Sequence, residues 1–167
     1  FDLMNLSRTP YNKINIHIGG AYGDKVSAME RFCENFHRLP NSVKSRLTVE
    51  NDDKATMYSV KDLYEGVYCK IGIPIVFDYH HHRFCTGGLS EEDALEVAIS
   101  TWGDIVPVVH YSESRNIEQE DDKIRPQAHS DYVYDYIDTY GNEVDIMVEA
   151  KAKELAVLKY KEIHEVV

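Results

Sequence analysis

Short runs of β-branched residues alternate along this chain with stretches whose apolar positions recur at helical spacing. Residues 14–18 (INIHI) read as a strand ending at Gly19-Gly20. Over 24–39 the apolar residues Val26, Met29, Phe32, Cys33 and Phe36 predict a helix, with Asp24 as its N-cap and Pro40 just past its end. Residues 46–50 (RLTVE) form a second strand. Ser59 caps a helix through Val60, Leu63, Val67 and Ile71, which stops near Gly72 and Pro74. Residues 74–78 (PIVFD) are a third strand, apolar until its terminal acid. Ser90 and Asp93 stand in capping-box spacing before a third helix, with Ala94, Leu95, Ala98, Ile99 and Trp102 as its apolar face. Residues 105–110 (IVPVVH) give a fourth strand, and a polar stretch follows over 112–131. The fifth strand is 144–149 (VDIMVE), and 150–165 is a helix through Ala152, Leu155, Ala156, Leu158 and Ile163.

Strand and helix thus alternate five times, without a linker or a domain boundary. Mostly apolar strands between amphipathic helices predict an α/β fold with parallel strands covered by helices. The strand ends fall 33, 28, 32 and 39 residues apart, each suiting one βα unit, the longest including the polar insert. In such a fold every strand delivers its C-terminal end to the same side of the sheet.

Those ends are His17, Glu50, Asp78, His110 and Glu149. The chain holds 29 Asp plus Glu and 8 His among 167 residues, so one such end is unremarkable and five of five is not. Mixed imidazole and carboxylate ligands suit Mn²⁺, Zn²⁺ or Fe²⁺ better than Mg²⁺. In the run Asp78-Tyr79-His80-His81-His82 only one or two of the three His can face a common centre. Asp78 and His81, three apart, both can if the chain curls after the strand. His129 is a further candidate from the long loop. Lys151 and Lys153, just beyond Glu149, are placed to meet phosphate.

Composition removes other classes. The net charge of −11 argues against a simple electrostatic nucleic-acid binder, and 43% hydrophobic residues with 12 Tyr argue against disorder. No run of 18 apolar residues offers a membrane-spanning helix. Three Cys without a CxxC pattern argue against a disulfide framework and for a reducing compartment. Cys33 and Cys69 are placed on helix core faces and Cys85 in a loop. The first residues lack a signal-peptide pattern, so an intracellular location is expected, cytoplasmic or nuclear. Gly19-Gly20-Ala21-Tyr22-Gly23 matches neither the dinucleotide fingerprint nor the P-loop, and no GxSxG elbow accompanies Ser112 or Ser130.

The stretches NIHIGG (15–20), GDK (23–25), VENDD (49–53), FDYHHH (77–82), VHYSE (109–113), HSDYV (129–133) and VEAKAKE (148–154) together resemble the ultraviolet-damage endonuclease family. They occur in family order and span nearly the whole chain. The resemblance implies a TIM-type barrel that incises damaged double-stranded DNA on the 5′ side of photoproducts and some other lesions. It implies a cluster of divalent metals, with Mn²⁺ as the expected occupant. By motif the ligands are His17, Glu50, Asp78, His81, His110, His129 and Glu149, with Glu50, Glu149 and Lys151 in catalytic roles. Eight strands make a barrel and five are visible, so residues 1–167 are read as strands four to eight, with the N-terminal part missing. Val108 stands where some members carry a modified Lys, and the insert 114–128 is long. An open five-stranded piece exposes two sheet edges, so the isolated chain is expected to self-associate and to lack full activity. The alternatives are a metal-dependent sugar isomerase or related hydrolase on the same barrel, and an inactive truncated fragment.

Overall fold

In the computed structural model, which describes residues 1–165, five parallel strands run in sequence order through one wall. The elements are β1 (Ile14–Ile16), α1 (Lys25–His37), α2 (Asn41–Lys44), β2 (Leu47–Glu50), α3 (Val60–Leu63), α4 (Cys69–Ile71), β3 (Ile75–Val76), α5 (Tyr79–His82), α6 (Glu91–Ile99), β4 (Val108–Tyr111), α7 (Arg115–Glu118), β5 (Asp145–Val148) and α8 (Glu154–His164). β1, β2 and β3 pair in parallel, with Ile14 opposite Leu47 and Val49 opposite Ile75. β4 and β5 pair with Val108 opposite Asp145. The two sheets are stitched by a parallel bridge between Asp78 and His110, where His110 donates its backbone N–H to Phe77 at 2.8 Å. The chain is therefore mixed α/β, with β1–β5 paired in parallel as its alternating pattern predicts.

The two faces of the wall carry different chemistry. Alternate residues Val49, Ile75, Phe77, Val109 and Tyr111 pack outward against Leu63, Val67, Ala94 and Leu95 of the helices, forming the main core. On the other face Val76 and Val108 meet Trp102, with Ile105 beside them. Trp102 donates its indole N–H to the Ile75 carbonyl at 2.8 Å, and the Thr101 hydroxyl accepts the Ile75 N–H at 2.9 Å. A small apolar plug thus closes the N-terminal end of this face. The polar residues Thr48, Glu50, Asp78 and His110 lie above it, where the strands end.

The cap assignments hold. Asp24 accepts from Ser27 N at the start of α1, and Ser90 accepts from Asp93 N at α6. Ser59 and Asp62 form a full capping box at α3. Ser59 is 1% exposed. Ser59→Ala removes the side-chain acceptor of the part-buried Asp62 N–H, so chemical denaturation should show about 1 kcal/mol lost.

Several boundaries differ from the sequence pattern. The helix expected from Ser59 to Ile71 is interrupted by a π-helical segment, Tyr64–Tyr68. Gly66 sits there against α1, and a Cβ on it would lie 2.3 Å from the Met29 sulfur, so the wide turn fits the close approach of two helices. That twist also leaves Cys69 exposed, not in the core, while Cys33 is buried as expected. Val26 is exposed as well. β4 begins at Val108 because Pro107 has no N–H to enter the ladder. The last helix begins at Glu154 rather than 150; Ala156 is its buried residue, with Tyr160, and Ala152 in the turn before it, partly buried against the core. Leu155, Leu158 and Ile163, expected inside, are exposed.

Candidate metal centre

All five strand-end residues and both loop histidines come together. Glu50, only 5% exposed, is the hub. Its Oε1 lies 3.3 Å from His81 Nδ1 and 4.0 Å from His17 Nε2, and its Oε2 lies 3.3 Å from His110 Nδ1. His110 Nδ1 is also 3.1 Å from Glu149 Oε1, and Glu149 Oε2 is 3.6 Å from His129 Nδ1. Asp78 Oδ2 is 3.9 Å from His81 Nδ1. Two triads, His17–Glu50–His81 and Glu50–Asp78–His110, each place one donor atom per residue within 4.8 Å of the others.

Local structure aims these groups. After β3 the chain does curl: Asp78 caps the single turn α5, its Oδ1 accepting the His81 N–H at 2.7 Å. The turn separates the three histidines. His81 faces the centre with Nδ1 2.9 Å from the Asn51 carbonyl; that oxygen can only accept, so the proton sits on Nδ1 and Nε2 is left free. His80 is buried, its ring 5.7 Å from that of His129, and His82 packs against Phe77. Burial holds His80 neutral, its pKa pulled down to about 4.

Three residues inside or beside the motifs support the centre without having been singled out by spacing. Asn51 exchanges two hydrogen bonds with the Asp78 backbone, donating to its carbonyl at 2.9 Å and accepting its N–H at 2.8 Å. Asn15 on β1 donates to Glu50 Oε2 and accepts from Thr48 at 2.9 Å. Asp52 Oδ1 lies 3.3 Å from His17 Nδ1, on the side of the ring away from Glu50. VENDD carried the signal for Asn51 and Asp52, but alternation alone does not tell a supporting residue from a ligand.

The electrostatics are those of a crowded, half-neutralised site. Burial pushes Asp78 up to about 6, against the pull of His81. Burial also opposes the charge on Glu50, but His110, with His17 and His81, outweighs it and holds Glu50 below the usual carboxylate range. His110 likewise holds Glu149 low. Burial disfavours protonated His110, yet Glu149 and Glu50 raise it to about 9. These attractions act without hydrogen-bond geometry: both ring nitrogens of His110 and Oδ2 of Asp78 are buried with no hydrogen-bond partner. Buried nitrogen and oxygen donors left unpaired are costly unless something else fills them. Their mixed hardness fits a divalent metal of intermediate softness.

Lys151 and Lys153 stand outside this cluster. They are exposed, and with His129, Glu149 and Gln127 they line an open cavity of about 490 Å³ beside it. Both precede α8, in a turn rather than at a helix start.

Comparison with known proteins places this chain in a family. The sequence model for "UV-endonuclease UvdE" matches residues 1–166. The UV DNA damage endonuclease of Bacillus pumilus (strain SAFR-032) is 41% identical over 172 residues, covering 96% of this chain and 50% of that protein. The protein of the same name from Bacillus cereus (strain Q1) is 38% identical, covering 98% of this chain and 51% of its own length. The crystal structure of SacUVDE superposes with a TM-score of 0.75 at 35% identity, covering 92% of this chain and 51% of that one. The chain spans about half the length of the relatives it matches, corresponding to their C-terminal portion. This chain belongs to the UV-endonuclease UvdE family.

Proposed function

We propose that this chain is the metal-binding part of a TIM-type barrel, its strands four to eight. We read the whole protein as a DNA repair endonuclease that cuts the phosphodiester on the 5′ side of ultraviolet photoproducts. The observation that carries this reading is the convergence of six His, Asp and Glu side chains on Glu50, with buried donors on Asp78 and His110 left unpaired. The family supports the DNA substrate, which places the work inside the cell, and the ligand set supports metal dependence, with Mn²⁺ the favoured occupant. His17, Glu50, Asp78, His81, His110, His129 and Glu149 would hold the metal cluster.

Bound divalent ions would neutralise phosphate charge, lower the pKa of a water nucleophile and stabilise the leaving oxygen. The chain's own residues supply the rest. Asn51 and Asn15 hold Asp78 and Glu50 in place. Glu149 stands between His110 and His129 at the mouth of the Lys-lined cavity, where it can orient a nucleophile's proton. Lys151 and Lys153, on that cavity's wall, can grip a phosphate oxygen by charge-assisted hydrogen bonds.

The test uses the full-length protein with Mn²⁺ and irradiated duplex DNA. The parent should nick on the 5′ side of photoproducts. Glu149→Gln should cut at least about 100-fold more slowly, the scale of a lost electrostatic contact in an active site. Equal cutting by both would remove Glu149 from the mechanism, and no cutting by the parent would refute the assignment.

A further inference from the structure

The polar insert after β4 is a long segment that the proposed chemistry does not use. Its ends are closed on each other. Ser114 and His129 form an antiparallel bridge, Arg115 donates its N–H to the Ala128 carbonyl at 2.7 Å, and the buried Ser114 hydroxyl donates to the Pro126 carbonyl at 2.5 Å. Between these closures α7 turns Glu118 back beneath the loop that follows His129. Glu118 Oε2 accepts the Asp131 N–H at 2.7 Å, and its Oε1 accepts the Tyr132 N–H at 2.9 Å. Glu113 repeats the arrangement three residues on, its Oε1 accepting from both Tyr134 and Asp135 at 2.8 Å. The Glu113 carbonyl also accepts the Ser130 N–H at 2.9 Å.

A carboxylate set on two consecutive amides makes two charge-assisted hydrogen bonds and fixes the peptide plane between them. Two such clamps lie within six residues of His129. The clamped loop then passes its position to the segment after β5. Ser130 accepts the Lys151 N–H and Asp131 accepts the Ala152 N–H, both at 3.0 Å. Glu149, two residues before Lys151, is thereby tied to the same frame as His129. A flexible loop would hold a histidine at this spot only part of the time.

We propose that the insert is a brace, and that Glu118, assisted by Glu113, is a positioning residue that fixes His129 against Glu149. The proposal rests on the reading of His129 as a metal ligand. Nothing in it requires Glu118 to touch metal or DNA, and each of its carboxylate oxygens holds one loop amide.

The test is a double-mutant cycle in the intact protein, with amide hydrogen exchange and Mn²⁺ affinity by electron paramagnetic resonance as readouts. Glu118→Ala should speed exchange at Asp131 and Tyr132 by at least about 100-fold while Val49 and Ile75 in the core keep their protection. The same change should weaken Mn²⁺ binding about tenfold, the size of effect expected from a supporting partner of a ligand. In a His129→Ala background it should weaken binding no further, because there is no ligand left to position. Glu118→Gln, which keeps one acceptor oxygen, should fall between. A full tenfold loss in both backgrounds, no loss of Mn²⁺ affinity in the parent background, or unchanged exchange at Asp131 and Tyr132, would overturn the brace alone. If His129→Ala itself leaves Mn²⁺ affinity unaltered, the ligand reading of His129 fails and the brace fails with it.

Discussion

Glu50→Gln is expected to lower Mn²⁺ affinity by more than about 100-fold, beyond what loss of a mere supporting residue costs, and to abolish measurable incision. Three histidine rings, His17, His81 and His110, lie within 4.0 Å of its carboxylate oxygens, so no other substitution touches as many of the proposed ligands. Glutamine keeps the shape and one carbonyl oxygen for Asn15, so the fold should survive and circular dichroism should be unchanged. What is lost is the charge. The pH dependence carries the same signature. His110 is raised to about 9 by Glu149 and Glu50, so at neutral pH it holds a proton that a metal must displace. Affinity should therefore rise with pH toward about 9 in the parent. In Glu50→Gln the pKa of His110 should fall, and metal binding should release fewer protons. Calorimetry in two buffers of different ionisation enthalpy measures that release. Equal release by parent and variant would contradict the coupling of Glu50 to His110.

Trp102→Ala should be the most damaging single change to stability away from the polar centre. Trp102 is 3% exposed, packs on Val76 and Val108, and donates to the Ile75 carbonyl. Truncation opens a cavity beneath the strands that carry Asp78 and His110, and it leaves the Ile75 carbonyl unpaired. Large-to-small changes of this kind cost about 3–5 kcal/mol. Denaturant unfolding should show that loss, together with weaker metal binding, because β3 and β4 are joined there and through the Asp78–His110 bridge. The control is Leu158→Ala, at 62% exposure in this chain, which should move stability by less than about 0.5 kcal/mol. A loss below about 1 kcal/mol for Trp102→Ala would show that the plug does not hold the wall together.

Much of this was legible in the sequence because the relevant signals are local. Strand alternation placed the ends of β1–β5 within two residues of where they fall, at Ile16, Glu50, Val76, Tyr111 and Val148, and parallel pairing then forces those ends to one side. His17, Glu50, Asp78, His110 and Glu149 converge for that reason alone. His81 needed the extra condition of a curl after β3, which Asp78 supplies as the cap of α5. The unread parts depend on contacts far apart in sequence. The π-helical turn at Tyr64–Tyr68 answers the packing of Gly66 on Met29, 37 residues upstream. The inward face of α8 is Ala156 and Tyr160 rather than its leucines, because the turn at 150–153 is held by loop carbonyls and resets the helix start. Asn15 and Asn51 look like ordinary strand and turn residues until their partners, Glu50 and Asp78, are placed beside them. The insert carried no periodicity at all, and its role lies in four backbone amides that only the folded loop presents.

Seven side chains at the strand ends are proposed to hold one metal centre. Titrating Mn²⁺ into ¹⁵N-labelled protein tests it most directly, since the paramagnetic ion erases nearby resonances. Signals from His17, Glu50, Asp78, His81, His110, His129 and Glu149 should be lost early and selectively, with the α2 residues Asn41–Lys44 at the opposite end of the strands unaffected. Broadening confined to exposed acids such as Glu91, Glu92 and Asp122, with the seven signals intact, would contradict it.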